Sequence, residues 1–320
     1  MVIDISAALL VAFSFPMIFF FSLLFEGIDR KLHARMQKRI GPPIIQPFYD
    51  FVKLFNKERI VPMTAASGIF TTITFIAAVC SILGAAIPLI TVVIQTSIIG
   101  DLILILYLLA MPSLMMMVGG SSSGNPYGAI GFSRMMTMVI AYEVPLLTSI
   151  ILISLKSGFS LTCYTIILAQ VEMKSCFAFT YPSMAFAAAT FLLCIPAGAG
   201  VVPFDIPEAK TEVIHGPFIE YGGPYLALMK LAKSALTFAL IFLASTLFFF
   251  VPALLGSPIS SEVWASLGVC LLVALIVMIC TVTVPRTIFA RLKIGQAFKF
   301  YWLIPLVLAI LSVAFFLVGM

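Results

Sequence analysis

Between Val202 and Tyr221 the chain reads VPFDIPEAKTEVIHGPFIEY, which sets four carboxylates, Asp205, Glu208, Glu212 and Glu220, in one short stretch. The sequence around it is 62% hydrophobic and only 10% charged. An ionised group is costly in low dielectric and neighbouring like charges favour proton sharing, so such a cluster at a membrane edge can hold and pass on protons. The plainer alternative is a solvated loop with ordinary acidic residues. A fifth carboxylate, Glu143, follows the start of an apolar run near Ser133. At about 1.5 Å per residue it reaches roughly the middle of a hydrocarbon core about 30 Å thick, where a carboxylate is a functional candidate by default. Pro145 has no amide hydrogen, which leaves the Ala141 carbonyl open to water or a side chain. A neutral, hydrogen-bonded structural glutamate is the other reading. Lys230 and Lys233 share a helix face; they either pair with Glu143 or the acidic stretch, or reach out to the membrane interface.

Membrane-spanning helices must position these groups. A mean hydropathy of +1.19 excludes an ordinary soluble enzyme, in which about 25% of residues are charged. The expected fold is an all-α polytopic membrane protein, a single membrane domain over residues 1–320 with no separate soluble domain. About eight spans of roughly 20 residues fit the apolar runs, at 5–25, 69–94, 102–118, 133–155, 181–199, 225–251, 263–284 and 300–318. The opening MVIDISAALL has no basic flank and reads as a retained helix rather than a cleaved signal. Residues 46–57 alternate apolar Phe48, Phe51, Val52 and Phe55 with Asp50, Lys53 and Lys57, the pattern of a short amphipathic helix on the membrane surface. The acidic loop spans 201–224 and is bent by Pro203, Pro207 and Pro217. Residues 119–134 are glycine-rich and read as a tight cytoplasmic connection; without the lysine of a phosphate-binding loop they do not predict a nucleotide site. The polar segment 156–180 is placed outside.

Arg30, Lys31, Arg35, Lys38 and Arg39 follow span one, and Arg286, Arg291, Lys293 and Lys299 follow span seven. These basic runs place their loops in the cytoplasm and both termini outside, in the cell membrane. The net charge of +5 is therefore read as orientation in lipid, not as nucleic-acid binding. Six cysteines without a CxxC pair and two histidines in predicted loops supply no ligand set for zinc, iron–sulfur or haem, so no cofactor is expected in this chain.

Three ordered motifs resemble one family over nearly the whole chain: the eight-helix H-type membrane anchor of respiratory complex I and its relatives in energy-converting membrane-bound hydrogenases. They are DRKLHARMQKRIGP with QPFYDFVKLFNKE, then SSGNPYGAIGFSRMMTMVIAYE with Tyr127, Arg134, Tyr142 and Glu143, and PFDIPEAKTEVIHGPFIEYGG. The resemblance implies a non-catalytic subunit that anchors a peripheral redox arm beside antiporter-like membrane subunits. It implies a polar path of Glu143, Asp205, Glu208, Glu212 and Glu220, with Lys230 and Lys233. The arm would be held by Arg30, Lys31, Arg35, Arg39, Asp50, Lys53 and Arg134. A NiFe centre and iron–sulfur clusters would sit in hydrogenase large- and small-subunit-like partners, with ferredoxin as the indirect electron donor.

The sequence also departs from the quinone-using members. Gly198 and Val201 stand where those carry Glu and Arg, the segment around Pro42–Gln46 is shortened, and Lys233 replaces an acid. Those changes favour the archaeal-type hydrogenase branch over quinone reduction. The alternatives are the same role in a sulfane sulfur or polysulfide reductase or in a quinone-reducing complex, a stand-alone secondary ion transporter, and a purely structural anchor. No internal repeat of the kind many transporters carry is evident.

Overall fold

The computed structural model describes residues 5–96, 100–250 and 263–319. Among these residues every regular element is a helix, as an all-α membrane protein requires. The helices are α1 (Ile5–Met36), α2 (Gln46–Phe55), α3 (Ser67–Ile94), α4 (Asp101–Ser122), α5 (Pro126–Lys156), α6 (Cys163–Met173), α7 (Phe177–Thr180) and α8 (Pro182–Gly198). They continue with α9 (Lys210–Val213), α10 (Gly223–Leu247), α11 (Val263–Met278), α12 (Val284–Ile288), α13 (Ile294–Leu303) and α14 (Pro305–Leu317). A π-helical segment, Ile279–Thr283, joins α11 to α12.

Among the described residues six stretches are long and apolar enough to cross a membrane: α3, α4, α5, α10, the α11–α12 unit and the α13–α14 unit. Helix α1 has 32 residues and α8 has 17, and both run through the same bundle. At the centre is α10, which packs on α1, α3, α4, α8 and α11. Nearly its whole length from Leu231 to Leu247 is buried, apart from Lys233 and Thr237, so it carries the core by being apolar on every side.

Several boundaries differ from the sequence reading for local reasons. Residues 119–134 are not a connection: only 123–125 turn between α4 and α5. The Asn125 side chain accepts from the Tyr127 amide at 2.9 Å and Pro126 opens the helix, so α5 starts at once. Helix α1 runs to Met36, which puts Arg30, Lys31, Arg35 and His33 on a helix rather than in a loop. The polar segment 156–180 contains α6, which is tied in at both ends. Asp101 Oδ1 accepts from the Cys163 amide at 2.8 Å, and Gln170 Nε2 donates to the Thr246 and Leu247 carbonyls, capping the C-terminus of α10. The last span is interrupted at Ile304, because Pro305 cannot donate to the preceding turn. Span six ends at Leu247; the predicted end at Val251 lies outside the described residues, as do residues 1–4 of the predicted retained opening.

The connections that precede or follow the basic runs gather at one end of the bundle. There the Ala66 amide donates to Ser122 O, the Leu292 amide donates to Pro203 O, and Glu58 O abuts Gly223. The surface helix α2 sits at this end, with Phe51 edge-on to Phe19 at 5.2 Å and Phe48 against Phe19 and Phe20. The shortened segment before α2 lies directly on α1, where a Cβ at Gly27 would stand 1.9 Å from the Ile44 carbonyl oxygen. Only glycine allows that approach. Gly27→Ala is therefore expected to lift residues 40–46 off α1 at a cost of about 1–3 kcal/mol. The checks are faster amide exchange confined to 40–55 and a lower thermal midpoint of the purified protein; an unchanged exchange pattern would contradict this packing.

Candidate proton path at the bundle rim

The acidic stretch is folded as two 3-10 turns, Ile206–Glu208 and Gly216–Phe218, around the single turn α9. Gly216 closes it: its φ is +53° and an added Cβ would fall 1.9 Å from Pro207 O, a position open only to glycine. Pro217 then packs against Gly120 and Gly131, and Tyr221 stacks on Phe70 with ring centroids 4.0 Å apart. The stretch is thus bound to the ends of α3, α4 and α5 by close backbone contact.

This fold separates the four carboxylates. Asp205 receives two hydrogen bonds from Arg291, Nε at 2.7 Å and Nη2 at 2.6 Å, and these bonds hold the Arg291 guanidinium above its ordinary pKa. Glu212 pairs with Arg134 and is half exposed. Glu220 accepts from Asn125 Nδ2 at 2.6 Å, which ties the loop to the start of α5. Glu208 pairs with Lys233 of the central helix α10, whose Nζ also donates to Gly200 O at 3.1 Å.

Glu208 and Lys233 line a small cavity of ≈ 30 Å³, walled by Ser113, Met138, Tyr142, Gly198 and Gly200 among others. That volume holds a water molecule or two. On its inner side Tyr142 is 6% exposed and its hydroxyl lies 3.4 Å from Ser113 Oγ. Tyr142 and Leu236 also line a second cavity of ≈ 260 Å³ between α4, α5 and α10, and Glu143 is in its wall. The space beside the rim pair and the space beside Glu143 are thus two cavities that share Tyr142 and Leu236 in their walls. Of the predicted path residues, Glu208 and Lys233 border the first cavity and Glu143 the second, whereas Asp205, Glu212 and Glu220 line neither.

Lys230 and Lys233 do not act together. They lie about 60° apart around α10, enough to send Lys233 to Glu208 and leave Lys230 exposed on the side of α2, where its charge acts on Asp50. Asp50 itself accepts from Arg30 Nη1 at 2.9 Å and from Gln46 Nε2 at 3.1 Å, while Arg30 also pairs with Glu26. Lys53, Arg35 and Arg39 are exposed and Lys31 is half-buried on the same end. One acid of the first motif that is not among the predicted site residues joins this end: Asp29 is buried, accepts from Thr283 Oγ1 at 2.8 Å and pairs with Arg286. Arg286 and Arg291 are thus partners of acids. Among the described residues no group of three His, Cys, Asp or Glu side chains converges to hold a metal ion.

Residues 8–317 match a family model described as NADH dehydrogenase. The chain belongs to that family, the H-type membrane subunits of complex I. It is 32% identical over 257 residues to the H-type chain of NADH-quinone oxidoreductase from Thermomicrobium roseum, covering 74% of each chain. It is 33% identical over 213 residues to hydrogenase-4 component C of Escherichia coli K12, covering 65% of this chain and 64% of that relative. A chain of an archaeal membrane-bound sulfane sulfur reductase matches with a TM-score of 0.83 and 32% identity, over 96% of this chain and 98% of that one. Members of the family thus occur in multi-subunit membrane oxidoreductases of more than one kind.

Asp50 carries a pH dependence. Burial works to raise its pKa, but the hydrogen bonds from Arg30 and Gln46 outweigh burial and hold it below the ordinary aspartate range. A depressed carboxylate pKa stabilises the docked helix above the unfolded value, and the contribution disappears as pH falls through the lower folded value. Amide protection of α2 is expected to fall on acidification below about pH 4, and Asp50→Asn should flatten that dependence; equal acid sensitivity in wild type and variant would contradict it.

Proposed function

We propose that this chain is the membrane anchor of a ferredoxin-dependent, hydrogenase-type complex and couples its redox arm to ion translocation. The observation that carries the reading is the place of Tyr142 in the walls of two cavities, one beside the Glu208–Lys233 pair and one beside Glu143. Opening of the Glu208–Lys233 pair frees the carboxylate to take up a proton. Water in the small cavity carries the proton inward, and the Tyr142 hydroxyl accepts it on one side as it gives up its own hydrogen on the other. Glu143 then holds the proton beside the larger cavity. No redox centre in this chain takes part; the NiFe and iron–sulfur centres belong to large- and small-subunit-like peripheral partners.

Arg30, Lys31, Arg35, Arg39, Asp50, Lys53 and Arg134 would seat those partners on the basic, cytoplasmic end, and Arg134–Glu212 would fix the acidic stretch beneath them. Antiporter-like membrane chains would receive the proton or sodium coupling laterally within the cell membrane. Close packing of Ile44 on Gly27 supports a quinone-free electron route, because it leaves no space between the shortened segment and α1 at that point. A sulfane sulfur reductase role is the second reading, favoured by the 96% coverage of the structural match. Hydrogen evolution from reduced ferredoxin by the purified complex decides between them; sulfide formation without hydrogen would reject the hydrogenase reading.

For the path itself, Glu143→Gln and Tyr142→Phe are expected to lower ion translocation per electron by about a hundredfold while the complex assembles. Glu212→Gln, which lies off the passage, should keep coupling but weaken retention of the peripheral arm. Full coupling in Tyr142→Phe would contradict the path.

A further inference from the structure

The cavity between α4, α5 and α10 is much larger than a proton path needs. At ≈ 260 Å³ it exceeds the engineered apolar cavity of about 150 Å³ that binds benzene. Its walls are apolar, formed mainly by Leu106, Leu109, Leu146 and Leu240, with Tyr107 and Tyr142 adding two aromatic rings. Glu143 is the one acid in that lining. Among the described residues no cation pairs with Glu143, since Lys233, Arg134 and Arg291 are committed to Glu208, Glu212 and Asp205. At the mouth, Ile103, Tyr107 and Leu147 are exposed on the flank of the bundle, so a ligand enters through lipid rather than from water.

These features select one chemistry. A purely hydrocarbon occupant leaves the carboxylate without a partner, and a hydrated inorganic cation leaves the leucine walls facing water. An organic ammonium on a compact hydrocarbon body satisfies both, and the two tyrosine rings add favourable cation–π contact. We propose that this cavity is a binding site for membrane-soluble primary amines, with the ammonium group paired to Glu143 and the hydrocarbon body filling the leucine-lined space. Binding follows from the cavity alone; the further expectation that a bound amine blocks coupling rests on the proposed proton path.

The test uses the assembled complex in lipid nanodiscs, with adamantan-1-amine and its neutral analogue adamantan-1-ol as probes and empty nanodiscs as the partition control. The amine is expected to bind saturably at one site per complex, about tenfold more tightly than the alcohol. Glu143→Gln should remove that preference and leave alcohol binding unchanged, while Ala110→Phe, which fills the space with the carboxylate intact, should abolish binding of both. Subunit composition of each variant complex shows that assembly is preserved. Uptake no different from empty nanodiscs, or amine binding to Glu143→Gln as tight as to wild type, overturns the site. Saturable, Glu143-dependent binding that leaves ion translocation untouched supports the site and counts against the proton path.

Discussion

A carboxylate at the edge of an apolar bundle has to be compensated where it stands, because low dielectric penalises an unpaired charge by more than a packed helix end can absorb. That constraint organises the rim of this protein. Asp205, Glu208 and Glu212 each meet a different cation, supplied by the α12–α13 loop, α10 and α5 respectively, and Glu220 meets the Asn125 amide. The acidic stretch thereby acts as a clasp that joins separate helices at one end of the bundle. Its glycines and prolines serve the same purpose, since Gly216 and Pro217 bring the backbone close enough to α4 and α5 for those pairs to form.

Within that clasp one pair differs from the rest. Lys233 sits on the central helix α10, so Glu208 is held against that helix. That pair borders a small cavity whose wall includes Tyr142, and Tyr142 also borders the larger cavity beside Glu143. The proposed path thus uses one of the several ion pairs at the rim. Lys233, which the resemblance marks as standing in an acid's place, provides the partner that orients Glu208.

Much of the fold could be read from composition. Apolar runs of the right length gave the spans, and the alternation around Phe48, Phe51 and Lys53 gave the surface helix. Element ends were less legible, because they depend on single contacts: Asn125 capping α5, Gln170 capping α10, and Ile44 resting on Gly27. The candidate site was half legible. Glu143 and Glu208 stand out as acids in an oily chain, but the separation of Glu208 from Asp205 and Glu212 is decided by cations 25 to 86 residues away in sequence. Tyr142, a residue shared by both cavities, looks like any buried aromatic until its neighbours are known.

Glu208 and Glu143 are joined through Tyr142 in the proposed path, while the other rim acids are not part of that connection. Redox-induced infrared difference spectroscopy on the assembled complex tests this most directly, by following the protonated-carboxyl band that disappears in Glu143→Gln. That band is expected to change in Tyr142→Phe and Glu208→Gln as well, and to stay the same in Glu212→Gln and Glu220→Gln. A Glu143 band indifferent to Tyr142 and Glu208, or one that follows Glu212 instead, would contradict the path.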